Sequence, residues 1–152
     1  MALSLPDLAQ RADLIMRGTV RQQTSEWRGA LIYTVTTVEV AALFKGVFRS
    51  GPIGRTVRVA QLGGVVGRAA MPVEGAAALA PGEQVVLFLL RNSECPGEYY
   101  LAGMSQGKLS VVGRDRLLWA PTAPLWRDGA LHEPLARQVT AGELRDALRG
   151  GR

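Results

Sequence analysis

The residues best suited to chemistry lie at Gly103-Met104-Ser105-Gln106-Gly107, which fits the G-x-S-x-G pattern of a nucleophile elbow. Asp128 and His132 follow it in the order Ser, Asp, His. In such a site the serine attacks a carbonyl, the imidazole takes the hydroxyl proton and the carboxylate orients the ring. The elbow needs a strand before it and a helix after it, because the tight turn presents the hydroxyl at a helix N-terminus. Here Lys108-Leu109-Ser110-Val111-Val112 follows, and its pattern is that of a strand. A chain of 152 residues is also short for an α/β-hydrolase. The two glycines serve equally well as bulge points in a bent strand.

Other catalytic patterns fail on composition or spacing. Gly103 to Lys108 is one residue short of a phosphate loop, and Leu109 stands where Ser or Thr is required. Gly63-Gly64-Val65-Val66-Gly67 is not a dinucleotide fingerprint. His132-Glu133 begins like H-E-x-x-H, but Ala136 replaces the second histidine and Pro134 would break the helix that pairs the ligands. With one histidine and one cysteine, Cys95, a nitrogen or sulfur zinc site cannot be built within one chain. Asp115 and Asp128 do not form a recognisable cation loop. Among thirteen acidic residues chance pairs are common, so none is singled out as a catalytic pair. The sequence therefore predicts no catalytic residue, no metal site and no cofactor site, and the chain reads as a non-enzyme.

Contact residues are a different matter. Trp27 and Arg28 lie side by side in a polar stretch read as a hairpin tip, Gln22 to Gly29. Trp and Arg are enriched where partners bind most tightly, so these two are the candidate partner-binding residues. The ordinary alternative is a tryptophan folded back over its own sheet. Tyr99 and Tyr100 alternate along a strand, which predicts that one of them is exposed.

These side chains must be held by β-structure. Ser4 and Asp7 form a capping-box pattern ahead of a short helix, Leu5 to Ala12. Leu14 to Val20, Leu31 to Val40, Thr56 to Ala60 and Gln84 to Leu90 read as strands, the last nearly all apolar and so central. Ala69 to Ala80 reads as a loop with at most one helical turn. Tyr99 to Ala102 and Gly107 to Val112 read as two strands about a glycine-marked kink, or as one long bulged strand. Trp119 and Trp126 flank a loose hairpin turning at Asp128-Gly129. Thr140 with Glu143 caps a terminal helix carrying Leu144 and Leu148.

The expected fold is mainly β: a five- to six-stranded antiparallel barrel with short N- and C-terminal helices. It fills one domain, 1–152, with 113–152 as a C-terminal extension of hairpin and helix. Apolar residues make up 47% of the chain, enough for a core, and no run approaches the roughly 20 needed to span a bilayer. The net charge is +5, from sixteen arginines and two lysines against thirteen acids. Such a charge admits single-stranded nucleic acid as an alternative partner, but only 6% of residues are aromatic and the strands lack aromatic-basic interleaving. Met1-Ala2-Leu3-Ser4-Leu5-Pro6 lacks a basic segment followed by an apolar one, so no signal peptide is expected in this stretch.

Several segments carry a family resemblance. Arg11-Ala12-Asp13-Leu14-Ile15-Met16-Arg17-Gly18-Thr19-Val20 resembles the opening of netrin-like domains, the group that includes the tissue inhibitors of metalloproteinases. Tyr33-Thr34-Val35, Val38-Glu39-Val40 and Leu43-Phe44-Lys45-Gly46 resemble that family's second strand and its Lys-Gly exit. Pro81-Gly82-Glu83 before Val85-Val86-Leu87-Phe88-Leu89 is similar to its later turn and strand. The whole pattern also resembles secreted bacterial proteins of this fold. The resemblance covers about residues 4–112 and implies a five-stranded OB barrel, an extracytoplasmic or secreted location and a protein partner of the extracellular protease class. The residues alone leave a cytoplasmic location open. The animal inhibitors chelate the protease zinc through an N-terminal cysteine. With Met1-Ala2-Leu3-Ser4 at its start and Cys95 as its one cysteine, this chain does not inherit that mechanism. The loop after the first strand, Arg21 to Ala30, is then the segment to contact a protease.

Overall fold

Residues 3–46, 55–73, 75–120, 125–127, 130–132 and 136–150 are described by a computed structural model of the chain. The sequence folds in the order α1 (Leu5–Arg11), β1 (Leu14–Arg28), β2 (Leu31–Lys45), β3 (Thr56–Leu62), β4 (Gly64–Val66), β5 (Ala69–Met71), β6 (Gln84–Arg91) and β7 (Glu98–Leu101). A 3-10 turn at Met104–Gly107 leads into β8 (Lys108–Gly113), β9 (Arg116–Trp119), β10 (Leu125–Arg127), β11 (Ala130–His132), β12 (Arg137–Thr140) and α2 (Ala141–Gly150).

The main sheet has eight strands in the order β1-β2-β3-β7-β6-β8-β9-β12, and β1 also pairs with β6. Five strands thereby close a ring: β1 to β2, β2 to β3, β3 to β7, β7 to β6 and β6 back to β1. The expectation of a wholly antiparallel arrangement fails at one place, since β3 and β7 run parallel. The strand count also exceeds five or six, because β8, β9 and β12 extend the same sheet past the ring.

The pattern of β6 explains its position. Val85, Leu87 and Leu89 face the ring interior, where they pack with Leu14, Met16, Val38, Val57, Val59 and Leu101. Val86 and Phe88 face the other way and pack under the two helices, with Leu5, Leu8, Leu109, Val139, Leu144 and Leu148. A strand buried on both faces needs an unbroken apolar run. One edge of β6 is occupied by β1 and the other by β7 and β8 in tandem. The glycine-marked kink therefore separates two strands that share one edge.

Local chemistry fixes the ends of the elements. Ser4 Oγ accepts from the Asp7 N–H, and Asp7 Oδ2 accepts from the Ser4 N–H. Thr140 Oγ1 accepts from the Glu143 N–H in the same manner. The Lys45 ammonium donates to the Ala9 and Gln10 carbonyls at 2.7 and 3.3 Å, at the C-terminal end of α1. Gly46 follows at φ +89°, where a Cβ would lie 2.6 Å from the Asp13 carbonyl oxygen. The Lys-Gly pair is thus a helix cap followed by an obligatory glycine turn.

Two loop expectations are corrected. Gln22 to Ser25 is strand, because β1 and β2 stay paired out to Arg28 and Leu31, and the turn shrinks to Gly29 and Ala30. Side-chain pairs across the ladder support this extension, with Gln23 bonded to Thr36 and Ser25 to Thr34. Part of the segment from Ala69 is also strand, in the small hairpin β4–β5. Gly64 in that hairpin lets the backbone approach β1 and β2, since a Cβ would sit 2.4 Å from Thr34 Oγ1 and 2.7 Å from Ser25 Oγ. The expected hairpin near residue 128 forms in the backbone as β10–β11. Within the 113–152 extension, β9, β12 and α2 share the core of α1. No helix of the described residues is long and apolar enough to cross a membrane.

Candidate binding face

Ser105 lies in the 3-10 turn, is buried, and is followed directly by β8. Its N–H donates to the Gly75 carbonyl at 3.0 Å. This is a packed bend, not the strand-turn-helix of an elbow. His132 lies in β11, and Asp128 falls outside the described residues. Among the described residues no group of three or more His, Cys, Asp or Glu side chains could hold a metal ion.

Trp27 and Arg28 are neighbours in β1, so they stand on opposite faces of the strand. Trp27 pairs with Ile32, on the face that also carries the Ser25–Thr34 pair, and is 52% exposed. Arg28 stands on the outer face of the ring and is committed internally. Its guanidinium donates to both carboxylate oxygens of Glu98, at 2.5 and 3.0 Å, and lies 5.2 Å from the Tyr33 ring centroid. Such a bidentate, stacked geometry is the one arginine makes best.

Glu98 is the residue that sequence reasoning missed. It opens β7 beside Arg58 of β3 and is only 2% exposed. Its remaining contacts are Asn92 Nδ2 at 3.4 Å and the Cys95 thiol at 3.8 Å, both from the turn between β6 and β7. The Arg28 hydrogen bonds hold its carboxyl below the ordinary range against the opposing effect of burial. The same pairing pushes the Arg28 guanidinium upward. The sequence offered one clue, a charged residue beginning an otherwise apolar strand. Nothing local indicated its partner seventy residues away.

The ion pair joins three segments: the β1–β2 turn, the outer face of β2 and β3, and the β6–β7 turn. Around it the outer face is apolar. Four of the seven exposed large apolar side chains among the described residues, Leu31, Leu62, Tyr100 and Met104, gather here with Tyr33. The register places Leu31 opposite Arg28 and Leu62 opposite Tyr33. Tyr33, Leu62, Tyr100 and Met104 line a concavity of about 190 Å³. The Tyr100 hydroxyl accepts from Asn92 Nδ2 at 3.0 Å, which ties the rim to the ion-paired floor. Of the two tyrosines, Tyr99 faces the interior and Tyr100 is the exposed one, as the alternation predicts.

A larger groove of about 570 Å³ lies between the β4–β5 hairpin and residues 76–80. Its polar side chains are already used: Gln61 bonds both backbone groups of Ala77, and Gln23 bonds the Leu79 carbonyl. That segment straps the end of the ring, with Leu79 buried in the interior cluster. No family model and no curated protein matches this chain.

Proposed function

We propose that the protein is a non-catalytic binding module whose five-stranded ring is an OB-type barrel, and that it binds a protein partner through the outer face around Arg28 and Glu98. The carrying observation is the concentration of exposed Leu31, Leu62, Tyr100 and Met104 beside Tyr33 over a rigid ion-paired floor. OB barrels bind through the face of their second and third strands and the loops at its ends, and the same three segments converge here. Tyr, Met and Arg are the residues enriched in protein interfaces. Arg28 is neutralised by Glu98 and Glu26, so much of the local positive charge is spent. That favours a protein surface over a polyanion.

The resemblance to netrin-like domains supports an extracellular protease as the partner and an extracytoplasmic location. Zinc chelation by an N-terminal cysteine has no part in it. Single-stranded nucleic acid is the second reading, supported by Tyr33, Tyr100 and Arg58 on one face. A photo-crosslinking residue placed at Leu31 or Tyr100, with Val112 as an exposed apolar control, tests the choice in cells that make the protein. Discrete protein adducts at the first two positions alone support the first reading. Nucleic-acid adducts support the second, and adducts equal to those at Val112 overturn both.

A further inference from the structure

We propose that the open end of the β3–β7 seam is a docking edge for an extended peptide segment of the partner, carrying an apolar side chain and an acidic one. This rests on the binding-module reading and specifies the form of the partner.

The two strands pair only at Arg58↔Glu98 and Val59↔Tyr99. Strand β3 then continues to Leu62 and β7 to Leu101 without pairing to each other. The 190 Å³ concavity lies in the gap, lined by Ala60 and Leu62 on one side, Tyr100 and Leu101 on the other, and bordered by Ala76 of the segment that crosses from Gln61 to Ser105. It suits a large side chain better than a drug-sized ligand, which occupies roughly 300–1,000 Å³.

The ladder shows which backbone groups face this gap. Gly63 N–H donates to the Ile32 carbonyl, so residues 57, 59, 61 and 63 bond to β2. Arg58 N–H donates instead to the Gly97 carbonyl on the β7 side. By alternation, the N–H and C=O of Leu62 also face the seam, and they have no backbone partner among the described residues. An unpaired strand edge is a template for another strand. Strand addition takes affinity from main-chain bonds and specificity from pockets for alternate side chains. Both are present.

Charge selects the peptide further. Arg58 is exposed on the same face, and its guanidinium donates to the Cys95 sulfur at 3.6 Å. No carboxylate lies within ion-pair distance of it among the described residues. It feels the charge of Glu98 across the β3–β7 pair, but Glu98 is hydrogen-bonded to Arg28, so the Arg58 guanidinium can still take an incoming acid.

The test uses the full chain and a synthetic nine-residue peptide of alternating valine and threonine with a central leucine and one aspartate, made with the aspartate on either side. Saturable shifts of the Ala60, Leu62 and Tyr100 amides by NMR are expected. Leu62→Pro removes the free N–H without removing a ladder bond, and should bind about fivefold more weakly than Leu62→Ala, the effect of one main-chain hydrogen bond. Should Leu62→Pro lower the urea midpoint, N-methylated peptides replace it: methylation at one backbone position should weaken binding about fivefold or more. Exchanging aspartate for lysine should weaken binding, and Arg58→Gln should erase that difference. The inference is overturned by absent or off-seam shifts, by equal binding of the two Leu62 variants with no loss on methylation, by seam shifts that follow protein concentration without peptide, or by displacement of the peptide by oligothymidylate. Protein adducts at Leu31 and Tyr100 with no peptide response would leave the binding module standing and remove only the seam.

Discussion

Replacing Arg28 by alanine should strand a carboxylate. Glu98 is 2% exposed and would keep the 3.4 Å contact to Asn92, the weak thiol contact to Cys95 and the longer-range attraction of Arg58. Removing one partner of a fully buried ion pair costs about 3–5 kcal/mol. The Arg28 side chain is 30% exposed, so water already screens part of the pair and can reach the vacated space. The expected loss is therefore about 2–3 kcal/mol, or roughly 4–12 °C in Tm for a chain of this length. Arg21→Ala provides the contrast. Its 2.6 Å bond to Glu39 joins side chains that are 55% and 45% exposed, and such pairs are worth about 0–1 kcal/mol. The pH dependence follows from the sign. Glu98 is held below the ordinary glutamate value of 4.5, so its contribution is present above that value and is lost as pH falls through the lowered one. In the variant the desolvated carboxyl protonates more readily. The gap between wild type and Arg28→Ala should thus be widest near neutrality and narrow on acidification. Urea unfolding at about pH 7, 5 and 3 measures it. Equal losses for Arg28→Ala and Arg21→Ala, or a gap that widens in acid, would refute the reasoning. This outcome also separates the roles of the two candidate contact residues, because Arg28 has a structural task that Trp27 lacks.

Trp27→Ala should change the unfolding free energy from urea titration by less than about 0.5 kcal/mol, as the indole is half exposed, while a partner contact would be lost in crosslinking yield. Gly18→Ala should prevent normal folding, seen as loss of soluble protein, because its Cβ would lie 2.4 Å from the Glu39 carbonyl oxygen and 2.6 Å from Met16 Cε. Leu79→Ala should cost about 2–4 kcal/mol by urea unfolding and raise proteolysis between residues 75 and 80, since that side chain anchors the strap in the ring interior. Thr140→Ala should cost about 1 kcal/mol by removing the cap at Glu143 N, with a matching loss of helical circular dichroism on mild heating.

Capping, periodicity and the exposure of one tyrosine could be read from the sequence because their causes are local. Ser4 and Asp7 sit three residues apart, and so do Thr140 and Glu143, and each pair meets within one helical turn. The apolar run of β6 announced burial on both faces, and the ring and the helices supply those faces. The polar stretch from Gln22 to Ser25 misled because strand propensity was weighed without its partner. Opposite Thr36 and Thr34, those side chains complete cross-strand hydrogen bonds and become good strand residues. Ala69 to Ala80 reads as a loop by its prolines and glycine, yet its start pairs as β5 with β4, whose Gly64 serves a close approach to two other strands.

A mainly β chain with a helix toward each end and a two-sided central strand was legible in the residue pattern. Only the folded sheet shows that Arg28, on its outer face, is tied to Glu98 while Trp27 stays exposed on the other side of the strand, that β3 and β7 run parallel for two residue pairs and then part, and that Leu62 and Tyr100 line the gap. The physical reason is range. A helical turn or an alternating face is set by residues within a few positions of one another. An ion pair spanning seventy residues exists only once the sheet has curled and brought its far ends together.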